Sequence, residues 1–176
     1  DHELARQLWD TGNHDARILA TMIADPAQAD TAMLEAWVND LGNYVISDAI
    51  SGFVSRTALA KEKMEEWTTS DDEWTGQVGW SLLVHLAMKD STLTDDYFVP
   101  FLKIIESDIH DCKNRVRHSM NSALIAIGMR NDALKKKAKA VAEAIGEVYV
   151  DHGETNCKTP DALEYIEKAG QRQKQK

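Results

Sequence analysis

Apolar residues recur along the chain at the spacing expected for one face of an α-helix. The clearest stripes cover residues 46–54, 97–105, 116–127 and 134–145. Within each stripe the apolar side chains lie three or four residues apart, which would make one helical face apolar and the opposite face polar. No segment shows a convincing alternation of apolar and polar residues, as a half-buried β-strand would. The pattern predicts an all-α protein.

Local signals indicate how many helices to expect. Residues 80–88 (WSLLVHLAM) are apolar nearly all round, which predicts a central helix enclosed by its neighbours. The clearest helix start is Thr159-Pro160-Asp161, with Thr as the N-cap, Pro as the first helical residue and an acid in the first turn. Together these signals predict about eight to ten helices joined by short loops.

The sequence predicts the arrangement of these helices less directly than their number. Short connections favour stacked antiparallel pairs in a solenoid over a four-helix bundle. Periodicity alone does not separate the two arrangements, and no strict internal repeat is visible. A length of 176 residues suits one domain with a sizeable core. We therefore expect a single helical domain over residues 1–176.

Composition narrows the compartment and the chemistry. No apolar run approaches the about 20 residues that span a bilayer, and the first residues lack the features of a signal peptide. Cys112 and Cys157 lie far apart without a CxxC pair, which suits free thiols in a reducing compartment. We expect a cytoplasmic monomer. No P-loop, dinucleotide fingerprint, HExxH or GxSxG motif is present, so we expect no cofactor.

The charge is unevenly distributed along the chain. The net charge of −9 argues against a polyanionic partner, because affinity for phosphates comes largely from Lys and Arg. Residues 113–139, however, carry eight basic residues against the single acid Asp132, a local charge of +7 that leaves −16 for the remainder. Such polarisation is what a one-sided site for a polyanion requires, although a basic solvated helix surface would show the same pattern.

The segment 150–160 contains a His, two acids and a Cys, namely His152, Asp151, Glu154 and Cys157. The spacing is not that of a known zinc site. A structured loop that caps the last helix is the favoured interpretation, and we expect no bound metal. His85, inside the apolar segment, is more typical of a hydrogen-bonded core histidine than of a ligand.

Two stretches resemble the AlkD-like DNA alkylation repair family, whose members are HEAT-like helical-repeat DNA glycosylases. They are residues 8–20 (LWDTGNHDARILA), followed by WVNDL at 37–41, and residues 116–131 (VRHSMNSALIAIGMRN). The resemblance implies a HEAT-like α-α superhelix of antiparallel helix pairs. Because family members begin several helices earlier, we expect Asp1 to follow a missing amino-terminal part of the array.

The resemblance also implies a reaction, the release of cationic alkylated purines from double-stranded DNA by hydrolysis of the N-glycosidic bond. In the family an Asp four residues after an aromatic stabilises positive charge on the deoxyribose. Here these positions are Asp48 and Tyr44. The i, i+4 spacing places both side chains on one helical face, away from the apolar stripe. The alternative is that Asp48 is an ordinary surface residue on the polar face of the helix.

Three departures from the family pattern bear on catalysis. Active relatives resemble one another in a motif of Glu, an aromatic residue, two variable residues, Arg, Ala and Gly. The corresponding residues 73–80 (EWTGQVGW) have Gln77 at the Arg position. Ser122 stands where the family often has an aromatic, and Tyr44 stands for a common Trp. Losing the Arg removes a phosphate clamp, and losing aromatics removes contacts to the sugar.

The basic window supplies the expected DNA contacts, because its cations recur at helical spacing opposite the apolar stripes. The expected DNA-binding residues are Lys113, Arg115, Arg117, Asn121, Arg130, Lys135, Lys136 and Lys139, with Gln77 near the catalytic Asp. Two alternatives remain at this point. The protein could be a catalytically inactive relative that binds DNA of unusual shape, or a HEAT-like scaffold for protein partners.

Overall fold

The structure is a computed structural model that describes the backbone of residues 1–173 and the side chains of residues 1–168. Ten α-helices and no β-strand occur in these residues, which confirms the prediction of an all-α protein. In chain order the helices are α1 His2–Asp10, α2 His14–Ile23, α3 Thr31–Asn39, α4 Tyr44–Val54, α5 Ala60–Trp67, α6 Glu73–Lys89, α7 Asp95–Asp108, α8 Asn114–Gly128, α9 Asp132–Ile145 and α10 Ala162–Gln173. A single 3-10 turn, Pro26–Gln28, lies between α2 and α3.

Asn and Asp side chains begin most of these helices. Asn13, Asp30, Asn43 and Asn131 each occupy an N-cap position and accept a hydrogen bond from a backbone N–H of the first turn. Such caps satisfy amide groups that have no partner inside the helix. The short polar connections of the sequence are therefore the segments that separate the helices.

The last helix begins later than the sequence predicted. The Asp161 carboxylate accepts from the Glu164 amide at 2.8 Å, so Asp161, and not Thr159, is the N-cap of α10. The Thr159 hydroxyl instead lies 3.0 Å from Nε2 of His152. Asp161 takes the cap because it directly precedes Ala162, whereas Thr159 is held by the preceding loop.

Backbone contacts group the chain into two compact units, and the boundary falls inside α6, after Leu83. In the first unit α1 packs on α2, and α4 packs on α2 and α3. Trp9 stacks on Trp37 with ring centroids 4.3 Å apart, and Phe53 lies against Trp37. These aromatic contacts form much of the apolar core of this unit, because large buried rings contribute the most area.

The first unit also buries one cation. Lys63 is 2% exposed, and its ammonium group donates to Glu35 at 2.6 Å and to Glu66 at 2.7 Å. Trp67 contributes a ring 5.6 Å from the Lys63 nitrogen. Burial lowers the pKa of Lys63, but the two carboxylates more than offset this effect, so the pKa is raised and the lysine stays charged.

The second unit is centred on α8, which packs against α7, α9 and α10. Ten residues of α8 are buried, including the apolar stripe that the sequence predicted. Gly128 permits α9 and α10 to pack closely against α8, because a side chain at this position would meet Ala138 of α9 and Ile166 of α10. No helix among the described residues has the length and apolar character needed to cross a membrane.

The segment predicted to form a central helix, residues 80–88, is the carboxyl-terminal half of α6. Trp80, Leu82, Leu83 and Leu86 are buried, whereas Met88 at its end is exposed. Burial lowers the pKa of His85, with a smaller effect from the Lys89 charge. The histidine is therefore neutral near pH 7, as expected for a histidine inside a packed helix.

Candidate nucleic-acid interface

Tyr44 and Asp48 lie one turn apart at the start of α4, which Asn43 caps. Both side chains are exposed, Tyr44 by 41%. Ser51, the next residue toward the carboxyl end of α4 at this spacing, is buried, and its hydroxyl donates to the Asp48 carbonyl oxygen at 2.8 Å. The polar face therefore narrows after Asp48, which leaves the carboxylate and the phenol as its chemical groups.

Gln77 of α6 fixes the orientation of Asp48. Its Nε2 donates to the Asp48 carboxylate at 2.9 Å and lies 3.4 Å from the Tyr44 carbonyl oxygen. The Gln77 side chain is fully buried, with 0% exposed, and its predicted contact with DNA stays a prediction. It is a positioning residue for the carboxylate. An amide carries no net charge, so Gln77 cannot compensate the negative charge of Asp48 as an arginine would.

Arg117 was predicted to bind DNA, but its guanidinium group has a structural role. It donates to the carbonyl oxygens of Ile109, His110, Cys112 and Tyr149 at 2.9 to 3.1 Å. These bonds tie the turn between α7 and α8 and the segment after α9 to α8. These bonds use four of the five guanidinium N–H donors, so a phosphate contact through more than one donor of Arg117 would break bonds that hold this unit together.

Arg130 is held in the same way. Its guanidinium donates to the carbonyl oxygens of Ala87, Asp90 and Leu93 at 2.7 to 2.8 Å and lies 4.6 Å from the centre of the Phe98 ring. Arg130 therefore closes the connection between α6 and α7. The predicted DNA contacts of Arg130 and Arg117 stay predictions. Neutral carbonyl acceptors do not cancel the positive charge of either residue.

Asn121 was expected on the exposed polar face of α8, but the segment before α10 covers this position. Its predicted contact with DNA stays a prediction. The residue is 1% exposed, and its Nδ2 donates to the Pro160 carbonyl oxygen at 2.9 Å. The segment that leads into α10 covers this part of α8. Ser122, the next residue, donates from its hydroxyl to the His118 carbonyl oxygen at 3.1 Å within the same helix.

The remaining cations form what we call the α8–α9 basic surface, made of Lys113, Arg115, Lys135, Lys136 and Lys137. Lys113, Lys136 and Lys137 are exposed, and Arg115 and Lys135 are partly exposed. Lys139, also predicted as a DNA contact, donates to Glu167 at 2.7 Å, and this bond raises the pKa of the lysine. The pairing reduces the net charge that Lys139 offers to an anion.

The loop between α9 and α10 brings two histidines together. The rings of His118 and His152 meet edge to face with centroids 5.6 Å apart. Burial, with smaller effects from Arg115 and His152, lowers the pKa of His118 to about 4. Among the described residues no group of three or more His, Cys, Asp or Glu side chains could hold a metal ion. Both cysteines are free, Cys157 exposed and Cys112 half-buried.

Comparison with known proteins identifies the class. A solved structure described as "a new family of proteins related to the HEAT-like repeat DNA glycosylases with affinity for branched DNA structures" superimposes with a TM-score of 0.89. It shares 28% sequence identity, and the match covers 98% of this chain and 75% of the other. The chain is thus a HEAT-like, all-α repeat protein.

The family follows from the sequence comparisons. A family model for the DNA alkylation repair enzymes matches residues 1–166. An uncharacterised protein of Listeria monocytogenes is 31% identical over 178 residues, which is 99% of this chain and 76% of that protein. An uncharacterised protein of Listeria innocua is 30% identical, over 98% of this chain and 75% of its own length. The chain belongs to the DNA alkylation repair enzyme family.

Proposed function

We propose that this protein binds branched or otherwise deformed DNA through the α8–α9 basic surface. The observation that carries the proposal is the run of three lysines on α9 in a protein of net charge −9, with Lys136 and Lys137 exposed and Lys135 partly exposed. Lysines that neutralise phosphates release counterions, which supplies most of the affinity of sequence-independent DNA binding. The affinity of the structural relative for branched DNA supports the choice of DNA form.

A binding role agrees with the surroundings of Asp48. The carboxylate is held by Gln77, which is neutral. A cation at that position would clamp a phosphate beside the reacting sugar, and the amide makes a much weaker contact with an anion. Recognition by shape needs no chemistry at Asp48, because it depends on backbone contacts and on the ease of bending the DNA.

Fluorescence anisotropy with a labelled four-way junction and a duplex of the same length tests the proposal. We expect tighter binding to the junction and a steep loss of affinity between about 50 and 200 mM salt. The double variant Lys136→Gln/Lys137→Gln should reduce the slope of log K against log salt by about 2, since each lost phosphate contact contributes about 0.9.

The matched control removes two exposed lysines outside this surface, Lys61→Gln/Lys103→Gln. It should bind the junction like the wild type. Equal loss in both double variants, or binding that does not respond to salt, would contradict a DNA site on α8 and α9. A salt-insensitive protein would instead favour a scaffold for protein partners.

A second function, hydrolysis of the glycosidic bond of an alkylated purine, is favoured by one observation. The Asp48 carboxylate is exposed and oriented by Gln77, one turn from the Tyr44 ring. In that reaction the bond between C1′ and the cationic base breaks and the base leaves neutral. Water then adds to the sugar cation that Asp48 stabilises, and the proton that the water loses goes to solvent.

The glycosylase proposal is tested by release of 7-methylguanine from methylated duplex DNA. Asp48→Asn is the informative variant, because it keeps an oxygen for the Gln77 hydrogen bond and removes only the charge. Release by the wild type and not by Asp48→Asn would support catalysis by this carboxylate. No release by the wild type above the uncatalysed rate would leave DNA binding as the function.

A further inference from the structure

A surface pocket of about 460 Å³ lies between α8 and the segment that joins α9 to α10. Its walls include Asn121, Glu147, Tyr149, Lys158 and Asp161. This volume lies within the range of pockets that hold small organic ligands, about 300 to 1,000 Å³. The pocket is in the same unit as the α8–α9 basic surface, and none of the five residues of that surface lines it.

The segment that forms the outer wall is fixed to α8 by hydrogen bonds. Asn114 donates to the Asp151 carbonyl oxygen and accepts from the Asp151 amide, both at 2.8 Å. Arg117 donates to the Tyr149 carbonyl oxygen at 3.1 Å. Val148 and Val150 are buried on either side of Tyr149. The wall is therefore ordered before any ligand arrives, which reduces the entropy cost of binding.

Tyr149 is the aromatic residue of this wall, and its side chain is 74% exposed. An exposed ring on an ordered backbone has no packing role that its neighbours require. Rings of this kind serve as stacking platforms in proteins that bind single-stranded nucleic acids, because every base has a π-face.

The pocket is rich in hydrogen-bond acceptors. Asn121, which is 1% exposed, uses Nδ2 for the Pro160 carbonyl oxygen, and its Oδ1 has no hydrogen-bond partner among the described residues. A buried acceptor without a donor costs free energy, and an incoming N–H group would recover it. The carboxylates of Glu147 and Asp161 also line the pocket. They favour ligands that donate hydrogen bonds and disfavour a phosphate inside.

We propose that this pocket receives an unpaired nucleobase from the DNA, which stacks on Tyr149 and donates from its exocyclic amino group to Asn121. The inference rests on the proposed DNA binding and specifies which part of a branched structure is recognised. Branch points contain bases that are already unstacked, so placing one in a pocket costs little. Lys158 at the pocket and the α8–α9 basic surface supply cations for the neighbouring phosphates.

The chemistry of the pocket predicts a base preference. Adenine, cytosine and guanine carry an exocyclic amino group with two N–H donors, which can serve Asn121 and a carboxylate of the pocket, whereas an unpaired thymine offers only N3–H. Adenine should therefore bind more tightly than thymine, and thymine, which still stacks, more tightly than an abasic site. Stacking on one aromatic side chain contributes about 1 to 3 kcal/mol, so we expect about a tenfold difference between adenine and the abasic site.

The test uses three forked DNAs that are identical except for one unpaired nucleotide at the junction, which is adenine, thymine or abasic. Anisotropy gives the affinity of the whole protein for each. In Tyr149→Ala the three affinities should become equal, at the value of the wild type on the abasic fork. Tyr149→Phe keeps the ring and should behave like the wild type. Tyr165→Ala removes another exposed tyrosine, 51% exposed on α10, and should change nothing.

The outcomes separate this inference from the proposed function. If the wild type binds all three forks equally and with the expected salt dependence, DNA binding stands and the pocket does not take a base. Equal weakening of all three forks by Tyr149→Ala would also contradict the pocket assignment. Lys136→Gln/Lys137→Gln should weaken all three forks alike and keep the preference for adenine. A wild-type protein that binds no fork at any salt would remove both proposals.

Discussion

Gly79 of α6 provides a direct test of the packing that positions Gln77. A Cβ atom built on Gly79 would lie 2.5 Å from the Thr68 nitrogen, 2.5 Å from the Trp67 carbonyl carbon and 2.9 Å from the Trp67 oxygen. These are backbone atoms at the end of α5, and they cannot turn aside as a side chain can. An ordinary contact needs about 3.5 Å or more, so Gly79→Ala requires α6 to move about 1 Å from α5.

The free energy of this change has two opposing contributions. Overpacking against a rigid neighbour costs about 1 to 3 kcal/mol, and backbone atoms place Gly79 at the upper end. Alanine in a helix interior returns about 1 kcal/mol relative to glycine. We expect Gly79→Ala to lower the free energy of unfolding by about 2 kcal/mol, which corresponds to a fall in Tm of about 4 to 8 °C.

Two other glycines make the measurement internally controlled. At Gly52 of α4 an added Cβ meets nothing within 4 Å, so Gly52→Ala should stabilise by up to about 1 kcal/mol. At Gly128 the Cβ meets two side chains, Ile166 at 2.8 Å and Ala138 at 2.9 Å, and the Ile166 chain can adjust. Gly128→Ala should fall between the other two variants.

Urea denaturation followed by circular dichroism gives the midpoint and the slope for each variant. The expected order of stability is Gly52→Ala, wild type, Gly128→Ala and Gly79→Ala. A Gly79→Ala protein as stable as the wild type would refute the close approach of α5 and α6. So would a Gly52→Ala protein that is destabilised as much as Gly79→Ala.

Three further changes test individual side chains. Lys63→Met should destabilise the protein by about 1 to 3 kcal/mol. This is less than for a fully buried ion pair, because water can solvate the partly exposed Glu35 and Glu66. Glu66→Gln should destabilise the protein less than Lys63→Met, which a comparison of their urea midpoints will show. The pKa of His118 is about 4 in the folded protein, so its imidazole stays neutral there until the pH falls to about 4. In the unfolded chain the same imidazole takes up a proton below about pH 6.5. Stability should therefore fall as the pH drops from about 6.5 to 4, and denaturation at both pH values should show a smaller fall for His118→Gln. Arg117→Gln should lower the urea midpoint and leave the salt dependence of DNA binding unchanged, and a reduced salt slope would show that Arg117 contacts phosphate.

Hydrophobic periodicity predicted the helices because it reports on the face of each helix that packs. The stripe at 116–127 became the buried face of α8, and the i, i+4 spacing of Tyr44 and Asp48 placed both on an exposed turn of α4. Helix ends depend on competition between nearby caps, which is why the start of α10 moved from Thr159 to Asp161. The prediction of one domain over residues 1–176 stays a prediction.

Periodicity could not predict which polar side chains would be covered by loops. It gives the direction of a side chain from the helix axis, but it carries no information on a segment distant in sequence that packs over that face. The segment 146–161 covers α8, so Asn121 is buried and Arg117 binds carbonyl oxygens. Gln77 was placed near Asp48 by the family motif alone, and the motif does not predict that the amide is buried and donates to the carboxylate.

A basic residue of this protein can therefore contribute positive charge without having to contact a phosphate. Arg117 and Arg130 bind neutral carbonyl oxygens, so each still contributes a positive charge to the field of its unit while its donors remain occupied. A field attracts DNA and speeds association, whereas the salt dependence of the equilibrium reports the phosphates that are actually contacted. Lys136 and Lys137 are exposed on α9 and have long flexible stems. Under the proposed function, such stems would let both side chains follow the backbone of a branched DNA without breaking the bonds that Arg117 and Arg130 make to carbonyl oxygens.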